Sequence, residues 1–164
     1  YTTSAAWNTI GMSNTASRDF GNRLQGFFWK PDGTALFLID SSTDKIHKKV
    51  LATAWDITST ITSSTSSIDL DLSTTAGETS NQSLFFSPDG LKIYFTGVTT
   101  DKVHMYNLAT AWDIRSSSFS GVPDDYLDFS SYETAPQVIT FSDDGKHLYV
   151  GGAAGDGVDQ FSRP

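Results

Sequence analysis

Short apolar runs broken by turn residues make up most of the chain. From Ser83 onward the run SLFFS meets the triplet Pro88-Asp89-Gly90, then a second run LKIYFTG, a polar turn VTTD, and KVHMYNL, in which apolar and polar side chains alternate. Runs of this length predict strands, and the Pro and Gly residues supply the fixed or positive φ that tight hairpins need. A looser segment follows, ITSTITSSTSSIDLDLS after one such unit and IRSSSFSGVPDDYLDFSS after another. It predicts a fourth strand of variable length. Helix signals are nearly absent, because Ser, Thr, Gly and β-branched residues dominate.

The same pattern recurs along the chain. Anchored on Gly33, Gly90 and Gly145, the copies step by 57 and 55 residues. Eight residues before each glycine stands Gln25, Gln82 or Gln137, and eleven after it stands Asp44, Asp101 or Asp156. The phrase LATAWDI occurs twice and places Trp55 and Trp112 each 22 residues after its glycine; SAAWNTI, with Trp7, is a worn third copy. Residues 1–164 therefore read as a single three-repeat unit with approximate boundaries 5–52, 53–109 and 110–164. Four strands in a period of roughly 40 to 60 residues is the grammar of a β-propeller blade. The expected fold is all-β, a β-propeller with three four-stranded blades per chain.

In this register Tyr1 to Ser4 matches Phe161 to Pro164. The N-terminal segment then reads as an outer fourth strand, and the last unit as three inner strands. Propellers usually have roughly 4 to 8 blades, so three leave two unpaired edges. The expected partners are other copies of the chain, through exchange of the N-terminal strand, or further blades of a longer chain. At about 60° per blade two copies would close a six-bladed ring; without closure the contact would propagate as a filament.

The stretch FSPDGLKIYFTGVTTDKVHMYNLATAWD resembles the repeats of YVTN-type surface propellers of bacteria, archaea and phages, with SPDG, an aromatic strand and a D-x-V turn into the third strand. The resemblance covers all three units. It implies an extracellular, cell-surface or virion-surface setting, and such repeats serve lectins, adhesins, lactonases and scaffolds alike. The Trp-Asp pair falls beyond the third strand and not at its end, so it is not the signature of WD-repeat proteins.

Composition narrows the partners. The chain has no Cys, which excludes disulfides and thiolate metal sites. A formal net charge of -8 speaks against nucleic acid and anionic lipid. No apolar run approaches the roughly 20 residues of a membrane span, so no membrane insertion is expected, and no cofactor or metal is expected either.

Two sets of side chains are candidates for ligand binding. One aromatic per unit, Trp7, Trp55 and Trp112, could form a sugar-stacking platform, or simply pack between blades. Asn8, Asp56 and Asp113, which follow the Trp residues, read as turn residues that bond their own backbone. Gln25, Gln82 and Gln137 precede the innermost strands and could offer amide donors and acceptors to a polyol at a channel mouth, or bond a neighbouring loop. Asp44, Asp101 and Asp156 read as turn residues, with calcium a lesser option. The acidic run Asp124, Asp125, Asp128 and Glu133 reads as a solvated loop. Asn81 opens a glycosylation sequon in an expected loop.

His47 and His104 share a third-strand position, where the last unit has Asp159; His147 stands alone in a second strand. No HExxH, GxSxG or P-loop is present. The sequence therefore predicts no enzyme, and a non-catalytic assembly module at an extracellular or virion surface. A glycan-binding propeller is the first alternative and a lactonase-like propeller the second.

Overall fold

The computed structural model describes residues 12–21, 23–59, 68–115 and 125–163. Among them run β1 (Leu24–Trp29), β2 (Ala35–Asp40), β3 (Lys45–Val50), β4 (Ile68–Asp71), α1 (Leu72–Ala76), β5 (Asn81–Phe86), β6 (Lys92–Gly97), β7 (Lys102–Asn107), β8 (Asp125–Asp128), β9 (Pro136–Phe141), β10 (His147–Gly152) and β11 (Val158–Ser162). They form three antiparallel sheets in the orders β1-β2-β3-β4, β5-β6-β7-β8 and β9-β10-β11. Two sheets thus have the four strands expected, and the third has three. Residues 12–21 form no strand, and residues 1–11 lie outside the described residues.

Each hairpin between first and second strands closes on its Pro-Asp-Gly or Asp-Asp-Gly turn. Gly33, Gly90 and Gly145 take φ of 74°, 72° and 68°, a left-handed conformation that glycine reaches without a Cβ penalty. In each turn the glycine N–H donates to the carbonyl three residues back at 2.8 Å. The helix α1 departs from the sequence expectation. Asp71 caps it by accepting the Thr74 N–H at 3.0 Å, and Gly77 ends it in the left-handed region.

The first strands of successive sheets lie side by side, β1 against β5 and β5 against β9. The sheets pack face to face. Phe37, Ile39 and Ile46 of the first meet Phe86, Ile93 and Phe95 of the second, with Phe37 and Phe86 ring centroids 4.4 Å apart. Val103 and Phe129 meet Ile139, Leu148 and Val150 of the third. Each fully buried side chain of this size contributes about 1.5–3 kcal/mol. The outermost faces differ. Phe27 is 65% exposed although its register equivalent Leu84 is 6% exposed, and Val158 is 72% exposed where Ile46 is fully buried.

Candidate functional site

Sequence reasoning placed three glutamines before the innermost strands; the structure gives each the same backbone irregularity. Leu24 pairs with Asp40 and Gly26 with Ile39, which leaves Gln25 as the extra residue of a β-bulge. Gln82 is skipped in the same way between Asn81 and Ser83, and Gln137 between Pro136 and Val138. A bulge bends its strand and re-aims the extra side chain, and bulges concentrate beside functional sites. The three fall on adjacent strands at one end of the sheets. Gly26 shows how closely they approach, because a Cβ there would lie 2.9 Å from the Gln82 carbonyl oxygen. Gln25 and Gln137 are exposed and Gln82 is half-buried. Gln25 also donates to the Ser41 hydroxyl at 3.4 Å.

A buried carboxylate holds this end of each sheet. Glu78 accepts the backbone N–H groups of Ser80 at 2.9 Å and of Thr99 and Thr100 at 3.1 Å, and the Thr100 hydroxyl at 2.9 Å. Glu133 accepts Ala135 at 2.7 Å, Ala154 at 3.1 Å and Gly155 at 3.0 Å. Burial raises its pKa, but these backbone donors outweigh burial and hold it below the ordinary carboxylate value. The first sheet reaches the same arrangement from the other side. Where Glu78 and Glu133 would have a counterpart stands Gly21, and Asp40 at the end of β2 accepts Arg23 N–H at 3.2 Å, Ser42 N–H at 2.8 Å and the Thr43 hydroxyl at 2.9 Å. Opposite Glu78 and Glu133 that position is Gly97 or Gly152. A Cβ on either would fall 2.5 Å from the glutamate carboxyl carbon. One carboxylate serves each sheet, and in the second and third the residue facing it must be glycine.

The two third-strand histidines lean on these clamps. His47 places Nδ1 2.6 Å from Asp69 and Nε2 3.4 Å from Asp40. His104 Nε2 lies 2.9 Å from the Thr100 hydroxyl that donates to Glu78, and burial pushes its pKa down to about 4. His147 is elsewhere, 2.8 Å from the Ser162 hydroxyl.

Asp44, Asp101 and Asp156 are the turn residues expected, at φ of 55°, 52° and 50°, a region Asp tolerates better than most residues. Burial raises the pKa of Asp44 and Asp101. Neighbouring carboxylates add to it, Asp71, Glu78 and Asp40 for the first and Glu78, Asp128 and Glu133 for the second. Oδ1 of each is buried without a hydrogen-bond partner. Among the described residues no group of three or more His, Asp or Glu is arranged to hold a metal ion.

The tryptophans sit at the opposite end, over the turn glycines, so Trp and Gln candidates do not share a site. Trp55 and Trp112 take φ of 64° and 63°; Trp55 is 58% exposed and Trp112 is half-buried. Trp7 lies outside the described residues, with Asn8 and Asp124. Asp56 and Asp113 accept the backbone N–H two residues on, at 2.8 Å and 3.0 Å, as turn chemistry requires. Two expectations are corrected. Asn81 is not in a loop; it is fully buried at the start of β5, donating to the Glu78 carbonyl at 3.4 Å, so no glycan can be attached to it in the folded chain. Glu133 is not a solvated loop residue but a buried clamp.

No family model matches the chain, and no curated protein matches it either. Solved structures do. A Lactobacillus plantarum protein aligns with a TM-score of 0.60 at 19% identity, over 85% of this chain and 37% of its own. A candidate 6-phosphogluconolactonase of Bacteroides uniformis aligns at 0.59 and 20%, over 85% and 36%. The periplasmic gluconolactonase of Pseudomonas aeruginosa aligns at 0.56 and 18%, again over 85% and 36%. The chain spans little more than a third of the length of these structures. The likeness shows an all-β fold of the propeller type. Of these neighbours the two named for an activity are lactonases, which overturns the expectation of a non-catalytic assembly module and of no enzyme. The reading weighed last is the one they favour. Among the described residues no helix is long and apolar enough to cross a membrane.

Proposed function

We propose that the chain supplies blades of a lactonase-type propeller and that a sugar lactone lodges at the bulge end of the sheets. The observation that carries this reading is the row of Gln25, Gln82 and Gln137, each at the same bulge on adjacent first strands. An amide offers both donors and an acceptor, which suits the hydroxyls of a polyol. Turns at the same end hold Asp44 and Asp101, each with an unpartnered carboxylate oxygen and a raised pKa. A carboxylate so placed suits a general base. It would take a proton from water as the oxygen attacks the lactone carbonyl. The ring C–O bond then breaks, the protonated aspartate returns its proton to the ring oxygen, and a hydroxy acid leaves. The glutamine side-chain N–H groups would donate to the oxyanion.

The buried clamps support this role by fixing the turns that carry the two aspartates. The lactonases among the structural neighbours support it further, and the periplasmic one favours an extracytoplasmic location. The SPDG spacing favours a YVTN-type origin for the repeats. The test is hydrolysis of glucono-1,5-lactone, followed by pH-stat against the spontaneous rate. Asp101→Asn is expected to lower the catalysed rate by about 10²-fold or more, and Gln82→Ala to raise KM. A rate no faster than the spontaneous one, or one unchanged in both variants, would overturn the proposal. Binding of glucitol without turnover would favour the glycan-binding reading, which the same amide row supports.

A further inference from the structure

Over the turn glycine of each of the first two sheets lies an indole. A Cβ at Gly33 would fall 2.4 Å from the Trp55 ring and one at Gly90 2.2 Å from the Trp112 ring, whereas a Cβ at Gly145 would meet nothing within 4 Å among the described residues. The seated Trp112 is walled by aromatics from two sheets: Phe28 stacked at 6.3 Å and 20°, Phe37 at 6.3 Å and Phe86 at 5.2 Å. The backbone N–H of Trp112 donates to the Gly90 carbonyl at 2.9 Å, as the backbone N–H of Trp55 does to Gly33 at 3.0 Å.

Every one of those walls has a counterpart around Gly145. At the same offsets from their turn glycines stand Phe85, Tyr94 and Phe141, with Phe141 5.3 Å from Phe85 and 4.5 Å from Tyr94. Tyr94, Phe141 and Gly145 border a cleft of about 360 Å³ that Leu148 and Phe161 also line. The backbone leading to it keeps the same register. Arg163 donates to Lys146 at 3.0 Å, just as Leu108 does to Leu91 at 2.8 Å and Leu51 to Thr34 at 2.9 Å. Three turn glycines are matched in the sequence by three Ala-Trp phrases, two of which are seated. The third is Ser4 to Ile10.

We propose that the Gly145 cleft is the docking site of the Ser4–Ile10 segment of this chain. In it the Trp7 indole lies on Gly145 among Phe85, Tyr94 and Phe141, and the Trp7 backbone N–H donates to the Gly145 carbonyl, as the two seated residues do at Gly33 and Gly90. The proposal is independent of the lactonase reading, because the cleft is at the turn end of the sheets and the glutamine row at the other.

The experiment uses the full chain carrying Trp7→Ala and a fluorescein-labelled peptide TTSAAWNTIG, followed by fluorescence anisotropy. Saturable binding is expected, with none for the peptide in which Ala replaces Trp. Gly145→Asn, which tolerates the left-handed turn but fills the slot, should weaken binding at least tenfold, and Tyr94→Ala should do the same from the wall. The unmodified chain should bind the peptide far less readily, its own segment being in place. Light scattering then identifies the source: a doubled mass lost in Trp7→Ala means that a second copy supplies the segment, and an unchanged monomer mass means that the chain folds back on itself. Either supports the docking. Absence of saturable binding, equal affinity for the Ala peptide, or equal uptake by the unmodified and Trp7→Ala chains would overturn it.

Discussion

The interface between the first and second sheets and that between the second and third use the same register positions, yet they are closed differently. In the former, Trp112 fills the space over Gly90 and touches Phe28, Phe37 and Phe86. In the latter, among the described residues, Phe85, Tyr94 and Phe141 border a cleft over Gly145. At the bulge end the relation is reversed. There the residues change between repeats, from Gly21 with Asp40 to Glu78 with Gly97, and a carboxylate still accepts the N–H groups of the loop after the second strand. At one end of the sheets, then, a conserved pattern of residues meets different neighbours; at the other, different residues preserve one local geometry. The reason is energetic. Backbone N–H groups of a tight loop need an acceptor whichever strand supplies it, while an indole slot needs only an apolar ring of the right size, whichever segment brings it.

The largest expected effect breaks the filled interface. Trp112→Ala should lower unfolding stability by about 3–5 kcal/mol, because an aromatic packed between sheets leaves a cavity; chemical denaturation measures it. Next comes the clamp. Glu78→Ala removes the acceptor of several buried donors and should cost about 2–3 kcal/mol. The pair Glu78→Gly with Gly97→Asp copies the first sheet and should restore most of that loss. A Glu78→Ala loss within error of zero would mean that the donors find water instead.

A smaller effect is pH-dependent. Burial holds the His104 pKa at about 4 in the folded chain, below its ordinary value of 6.5. The unfolded chain therefore binds this proton more readily, and stability present above pH 6.5 is lost as pH falls through that value toward 4. His104→Gln should flatten that part of a stability-versus-pH curve. The smallest effect sharpens the contrast with Trp112. Trp55 is more than half exposed and has Trp29 as its aromatic partner at 5.2 Å. Trp55→Ala should cost about 1 kcal/mol or less, near the range for exposed positions, by the same denaturation measurement.

The repeat register made much of the fold legible. Turn glycines at Gly33, Gly90 and Gly145 located every first hairpin, and the αL aspartates located every second. The candidate site was legible only in part. Gln25, Gln82 and Gln137 stood out by their spacing, but nothing in one strand reveals a bulge, since a bulge is a mismatch with the partner strand. Asn81 carried a loop signal and proved to be buried strand, because its environment is set by the carbonyl of Glu78 and by the packing of β5. The exchange of Gly21 and Asp40 for Glu78 and Gly97 was visible in the aligned repeats. It had no meaning until the two positions were seen to face one another.

By itself the sequence determined the three-fold repetition, the all-β character and the strand order within each sheet, since turn chemistry and apolar periodicity act over a few residues. Only the tertiary structure decided where each carboxylate is satisfied, that the glutamines and tryptophans lie at opposite ends of the sheets, and which tryptophan is enclosed. Those properties depend on residues distant in sequence meeting across an interface, where burial and hydrogen-bond geometry act between strands and sheets.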